Sequence, residues 1–232
     1  MSDARTEILK RIRGALGEDA GTDRIARDYR TIGAAEPGSP ATVDLLRHRL
    51  RDYRATVVTV SGDEAALGRA VAAQLNEASI AKVAVPAQLP RAWTAFVPDV
   101  VIDDGGLDWH ELDHVPAVVT GCVAAIAQTG TLVLDGSAPC GRRALTLLPD
   151  VHLVVVRERD IVCSLPEGLR LLDPQRPTTF ISGPSATSDI ELKRVEGVHG
   201  PRNLLVVIWG EGAHPKMSLT AKAIDTIQAK RG

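Results

Sequence analysis

The chain has 232 residues and a mass of 24.7 kDa, the size of one large α/β domain or of one domain with a helical appendage. Apolar residues make up 44% and aromatics only 3%, so the core must be built from Ala, Val, Leu and Ile, a composition suited to strands buried between helices. A net charge of −2 and a pI near 6.3 argue against a sequence-independent hold on nucleic acid, and no apolar run approaches the ~20 residues of a membrane-spanning helix.

Residues 3–16 read as a short amphipathic helix, with Ile8, Leu9, Ile12 and Leu16 near one face. Asp3 to Arg13 is charged and lacks the apolar region of a signal peptide, so a cytoplasmic location is expected. Gly17 to Pro40 reads as a linker. Residues 41–53 carry a second helical pattern on Val43, Leu46 and Leu50. Together, residues 1–54 are expected to form an N-terminal helical arm. From Thr56 the pattern alternates. Strand runs over 56–60, 80–85 and 97–102 are separated by helical stretches over 64–78 and 88–95. Further strand runs occupy 129–135, 151–156, 178–182 and 203–209. Strands alternating with helices predict an α/β fold, with a mainly parallel sheet flanked by helices, over residues 55–209. Residues 210–232 are expected to be a tail with one helical pattern.

The three cysteines, Cys122, Cys140 and Cys163, are widely spaced. They make neither a disulfide framework nor a four-cysteine cluster site. His110 and His114 stand four apart, but Gly105-Gly106 and Pro116 confine any helix there, and a surface turn is the reading. No metal site and no cofactor is expected. The glycine spacing from Gly136 to Gly141 resembles a phosphate-binding P-loop, but Arg142 and Arg143 replace its Lys and its Ser or Thr. Arg142 is kept as a ligand-binding candidate, because a guanidinium suits carboxylate or phosphate. A solvated basic turn is the alternative.

Chemistry concentrates in two further places. Ala124 to Gln128 reads as a helical turn that runs into Thr129-Gly130-Thr131, a tight turn with two hydroxyls. The other is Phe180 to Pro201. There Gly183, Ser185 and Thr187 are expected to bring N–H groups and hydroxyls to an anion, with Pro184 in the same ligand-binding loop. Ser188 matches a helix N-cap with Glu191 reaching back and Asp189 in the first turn. Those residues either start a helix or bind a ligand. Asp189 and Glu191 are the acid/base candidates, and His199, in the turn before the last strand, joins them.

These residues resemble the LUD-domain family, in its lactate-utilisation protein C branch. The resemblance rests on Ala125-Ile126-Ala127 with Thr129-Gly130-Thr131-Leu132, on Leu147-Leu148-Pro149 with Val151-His152, and on Gly183-Pro184-Ser185. Asp189-Ile190-Glu191 and Gly197-Val198-His199-Gly200-Pro201 complete it. The chain departs from the family at Gln128, where an acid is usual, at Ala186, where a basic residue is common, and at Cys140-Gly141-Arg142. The resemblance implies a fold similar to the sugar-phosphate isomerase and CoA-transferase superfamily. It implies a cytoplasmic part in oxidising L-lactate to pyruvate, beside two iron–sulfur partner proteins, with a small anionic metabolite as ligand. A stand-alone isomerase or acyl-transferase-like enzyme and a non-catalytic structural subunit are the alternatives. Neither nucleic acid nor membrane insertion is expected.

Overall fold

The computed structural model describes residues 4–16, 26–188, 194–196 and 200–211. The chain divides into two units, Met1–Arg30 and Thr31–Gly232. The first contains α1 (Ala4–Leu16), braced by an ion pair between Glu7 and Arg11 one turn apart. The second runs through α2 (Pro40–Asp52), β1 (Thr56–Gly62), α3 (Glu64–Glu77), β2 (Lys82–Pro86) and β3 (Asp99–Asp103). It continues with α4 (Trp109–Asp113), β4 (Ala117–Gly121), β5 (Ala124–Ile126), β6 (Thr131–Leu134) and β7 (Val151–Arg157). Then come β8 (Ile161–Val162), α5 (Leu165–Leu169), β9 (Thr179–Ile181), β10 (Ala186–Ser188), β11 (Arg194–Glu196) and β12 (Asn203–Glu211).

The main sheet has six strands in the order β1-β12-β7-β4-β2-β3, and every pairing in it is parallel. Its central strands are continuous apolar runs because both faces are covered. Alternate side chains of one strand enter different cores. On β12, Leu204, Val206 and Ile208 join the cluster around Leu46 and Leu50 of α2, whereas Leu205, Val207 and Trp209 join the one around Leu67, Val71 and Leu75 of α3. Helix caps agree with the chemistry: Ser39 caps α2, whose first residue is Pro40, and Asp63 caps α3 through a 2.8 Å bond from the Ala66 N–H.

A second sheet, β8-β5-β6-β9, lies against the α2 face, where Leu132 and Ile161 share the core of Leu46 and Leu50. It arises where a helical turn was expected. Ala124–Ile126 is wholly buried and forms β5, antiparallel to β6 and parallel to β8, and only Ala127–Thr129 closes into a 3₁₀ turn. The alanine-rich composition favours helix locally, but two paired neighbours for a three-residue strand override it. After Gly141 the chain forms a 3₁₀ turn, Arg143–Thr146. The helix expected to begin at Ser188 is also corrected: Ser188 lies in β10, which pairs antiparallel with β11. A capping-box pattern is local, and pairing with Arg194–Glu196 wins over it.

Candidate functional site

A cleft of mixed polar and apolar lining opens at the amino-terminal ends of β7 and β12, between the main sheet and β9. Its volume is about 290 Å³. Its floor is His152 and Leu204, side by side in register on β7 and β12. Thr179 to Ser185, the last strand of the second sheet and the loop after it, form one wall. Arg143, Thr146 and Leu147 form another, and Gly200 and Pro201 close the end.

Local structure fixes each wall. The Ser185 N–H donates to the Pro201 carbonyl at 2.8 Å, which ties the Gly-Pro-Ser loop to the chain entering β12. Ser182 shares a 2.8 Å hydrogen bond with Thr131 Oγ1, which is 2.7 Å from Thr129 Oγ1. This hydroxyl chain joins the Thr-Gly-Thr turn to the loop. Gly130 has φ +60° and Gly183 φ +97°, and both press against α2 and its cap. A Cβ at Gly130 would lie 2.8 Å from Arg49 Cβ, and one at Gly183 would lie 2.7 Å from Tyr53 Cβ. Only glycine satisfies both the backbone angle and the close approach.

The electrostatics are uneven. Arg143 is exposed at the rim, where its Nη1 donates to Thr179 Oγ1 at 2.8 Å. Among the described residues no carboxylate pairs with it. His152 is 1% exposed, and burial pushes its imidazole down from 6.5 to about 3, so the ring is neutral. Its Nε2 is 2.8 Å from Thr120 Oγ1 on the neighbouring strand β4. Among the described residues the cleft therefore offers one cation, one neutral imidazole and several hydroxyls.

The residues singled out from the sequence distribute as follows. Gly183, Pro184 and Ser185 line the cleft. Thr129, Gly130 and Thr131 lie behind it and reach it through Ser182. Thr187 and Ser188 belong to β10, just past the cleft-lining loop. Asp189, Glu191 and His199 lie outside the described residues, although Gly200, next in sequence to His199, lines the cleft. Arg142 turns away. Its Nε and Nη2 bind the buried Asp103 carboxylate at 2.8 and 2.9 Å, and Nη2 also donates to the Leu107 carbonyl. Cys140 is buried, and that burial pushes its thiol up to about 11, so it stays protonated.

Arg143 and His152 were not singled out as ligand-binding residues. The signal for His152 was present: a histidine in an otherwise apolar strand, Val-His-Leu-Val-Val-Val, is a buried polar group in need of a partner. For Arg143, the two adjacent arginines looked equivalent, and only Asp103, distant in sequence, decides between them.

A mainly parallel α/β sheet with a second, small sheet beside it defines the class as α/β. The chain belongs to the LUD domain family. The family's model matches residues 109–209. A "Lactate utilization protein C" of Deinococcus radiodurans is 48% identical over 166 residues, covering 70% of this chain and 76% of that protein. A Bacillus subtilis protein of the same name is 24% identical over 223 residues, covering 84% of this chain and 91% of its own length. The crystal structure of a DUF162 family protein from Deinococcus radiodurans aligns with a TM-score of 0.61 at 39% identity, covering 73% of this chain and 97% of that one.

Proposed function

We propose that the chain is a component of an L-lactate utilisation system and that the cleft binds its small carboxylate. The reading is carried by Arg143, a cation with no carboxylate partner among the described residues, at the rim of a cleft of about 290 Å³. That volume is at the low end of small-molecule sites and suits a metabolite of a few heavy atoms better than a whole coenzyme. Relatives named for lactate utilisation support lactate or its oxidation product as the acid. Arg143 pairs with the carboxylate, and the Gly183 N–H is the further donor of the Gly-Pro-Ser loop, the Ser185 N–H being taken by the Pro201 carbonyl. Asp189, Glu191 and His199 are the proposed acid/base groups. Oxidation of the hydroxy acid is assigned to the system as a whole, with iron–sulfur partner proteins accepting the electrons.

Calorimetry with lactate, pyruvate, CoA and sugar phosphates tests this reading. Lactate or pyruvate should bind, and Arg143→Ala should weaken that binding at least tenfold, as expected for a charge-assisted hydrogen bond worth about 1.5–3 kcal/mol. Binding of CoA alone, with turnover by the isolated chain, would instead support an acyl-transferase-like enzyme.

A further inference from the structure

His152 is the polar side chain on the cleft floor, and it is anchored from behind. In the β4–β7 register Val118 faces His152 and Thr120 faces Val154, so Thr120 is the diagonal neighbour of His152 on one face of the sheet. Thr120 is fully buried and its Oγ1 holds Nε2 at 2.8 Å. That leaves Nδ1 as the ring nitrogen available to a ligand in the cleft. A neutral imidazole carries one proton, so one ring nitrogen donates and the other accepts. A threonine hydroxyl does either. Two arrangements therefore satisfy the same 2.8 Å contact. With the proton on Nε2, the ring donates to Thr120 and Nδ1 accepts. With the proton on Nδ1, the threonine hydroxyl turns its own hydrogen toward Nε2, and Nδ1 donates. No net charge is gained or lost between them.

We infer that Thr120 and His152 form a reader for the oxygen on the carbon beside the ligand's carboxylate, offering an acceptor to a hydroxyl and a donor to a keto oxygen. This rests on the small-carboxylate reading of the cleft and adds to it a specificity element. A fixed donor would hold the keto acid and reject the hydroxy acid, and a fixed acceptor would do the reverse. The convertible pair holds both members of a 2-hydroxy/2-oxo acid couple. Burial matters here, because a protonated imidazole would donate from both nitrogens and lose the acceptor state. His152 contacts the ligand in this account, Thr120 is the positioning residue that acts through it, and Arg143 remains the carboxylate anchor.

The test compares L-lactate, pyruvate and propionate, which has the carboxylate but no second oxygen, by calorimetry and by ¹⁵N NMR of the histidine ring. Lactate and pyruvate should each bind at least fivefold more tightly than propionate, the worth of about one hydrogen bond. The protonated nitrogen of His152 should be Nε2 with lactate and Nδ1 with pyruvate. Thr120→Val, tolerated on a strand, should abolish the preference over propionate while keeping propionate affinity, and Thr120→Ser should restore it. One tautomer in both complexes, or an undiminished preference in Thr120→Val, would overturn the reader. Equal binding of all three acids overturns the reader and leaves the carboxylate site standing. Binding of none of them overturns the proposed function and the reader together.

Discussion

Two neighbouring arginines show how much a single buried partner decides. Arg142 and Arg143 are adjacent in sequence, but only Arg142 finds Asp103, whose side chain is 2% exposed. Removing one partner of a buried pair leaves an uncompensated charge and costs 3–5 kcal/mol when both are buried. Arg142 keeps 38% of its side chain in solvent, so Arg142→Ala should cost about 2 kcal/mol. Urea denaturation measures that loss, and lactate affinity should not change. His152 gives a pH signature at the same scale. The unfolded ring takes a proton near 6.5 and the folded ring only near 3. The depressed value means that stability is fully present above 6.5 and falls as pH drops from 6.5 toward 3, by up to tenfold in the folding constant per unit. Urea midpoints measured at several pH values should show a steeper acid loss for the native chain than for His152→Asn.

At the scale of elements, α2 is the base on which both site turns rest. Gly130 lies in the turn before β6 and Gly183 in the loop after β9, and each fits only because it has no side chain facing Arg49 or Tyr53. Gly183→Ala adds a Cβ at 2.7 Å from a neighbouring carbon in a left-handed conformation. The expected cost is about 2–3 kcal/mol, from backbone strain and overpacking together. A lower Tm with weakened lactate binding is the expected outcome. Unchanged lactate binding would show that the loop does not hold the ligand. These elements also show what the sequence made legible. The apolar runs of β7 and β12 stood out because strands covered on both faces are built mostly from apolar residues. β4 passed unnoticed between Pro116 and Gly121. β5 looked helical, because three alanine-rich residues carry no period of their own and become a strand only beside β6 and β8. The Gly-Pro-Ser loop was legible from its glycine and its chain position. The Ser188 cap was misread because a capping box is a four-residue pattern, blind to the strand it later meets.

At the scale of the molecule, parallel strands joined by helices place chemistry at strand ends, and ligands in open α/β sheets usually gather at the carboxyl ends. Here the cleft lies at the amino ends of β7 and β12, because the second sheet packs over the α2 face and brings β9 to that edge. Fold class was therefore readable from alternation alone, but the location of the cleft was not. It depends on a four-stranded sheet assembled from short pieces scattered between Ala124 and Ile181. The two sheets also behave differently as mechanical parts. β7 is central and paired on both sides, whereas β9 is an edge strand whose one strand partner among the described residues is β6. On the proposed reading, a carboxylate held by Arg143, the β9 loop and His152 at once would bridge the central floor and the edge-strand wall. Its binding energy is then spent partly on holding that wall shut, so occupancy and the resistance of the β9 edge to opening become one thermodynamic quantity.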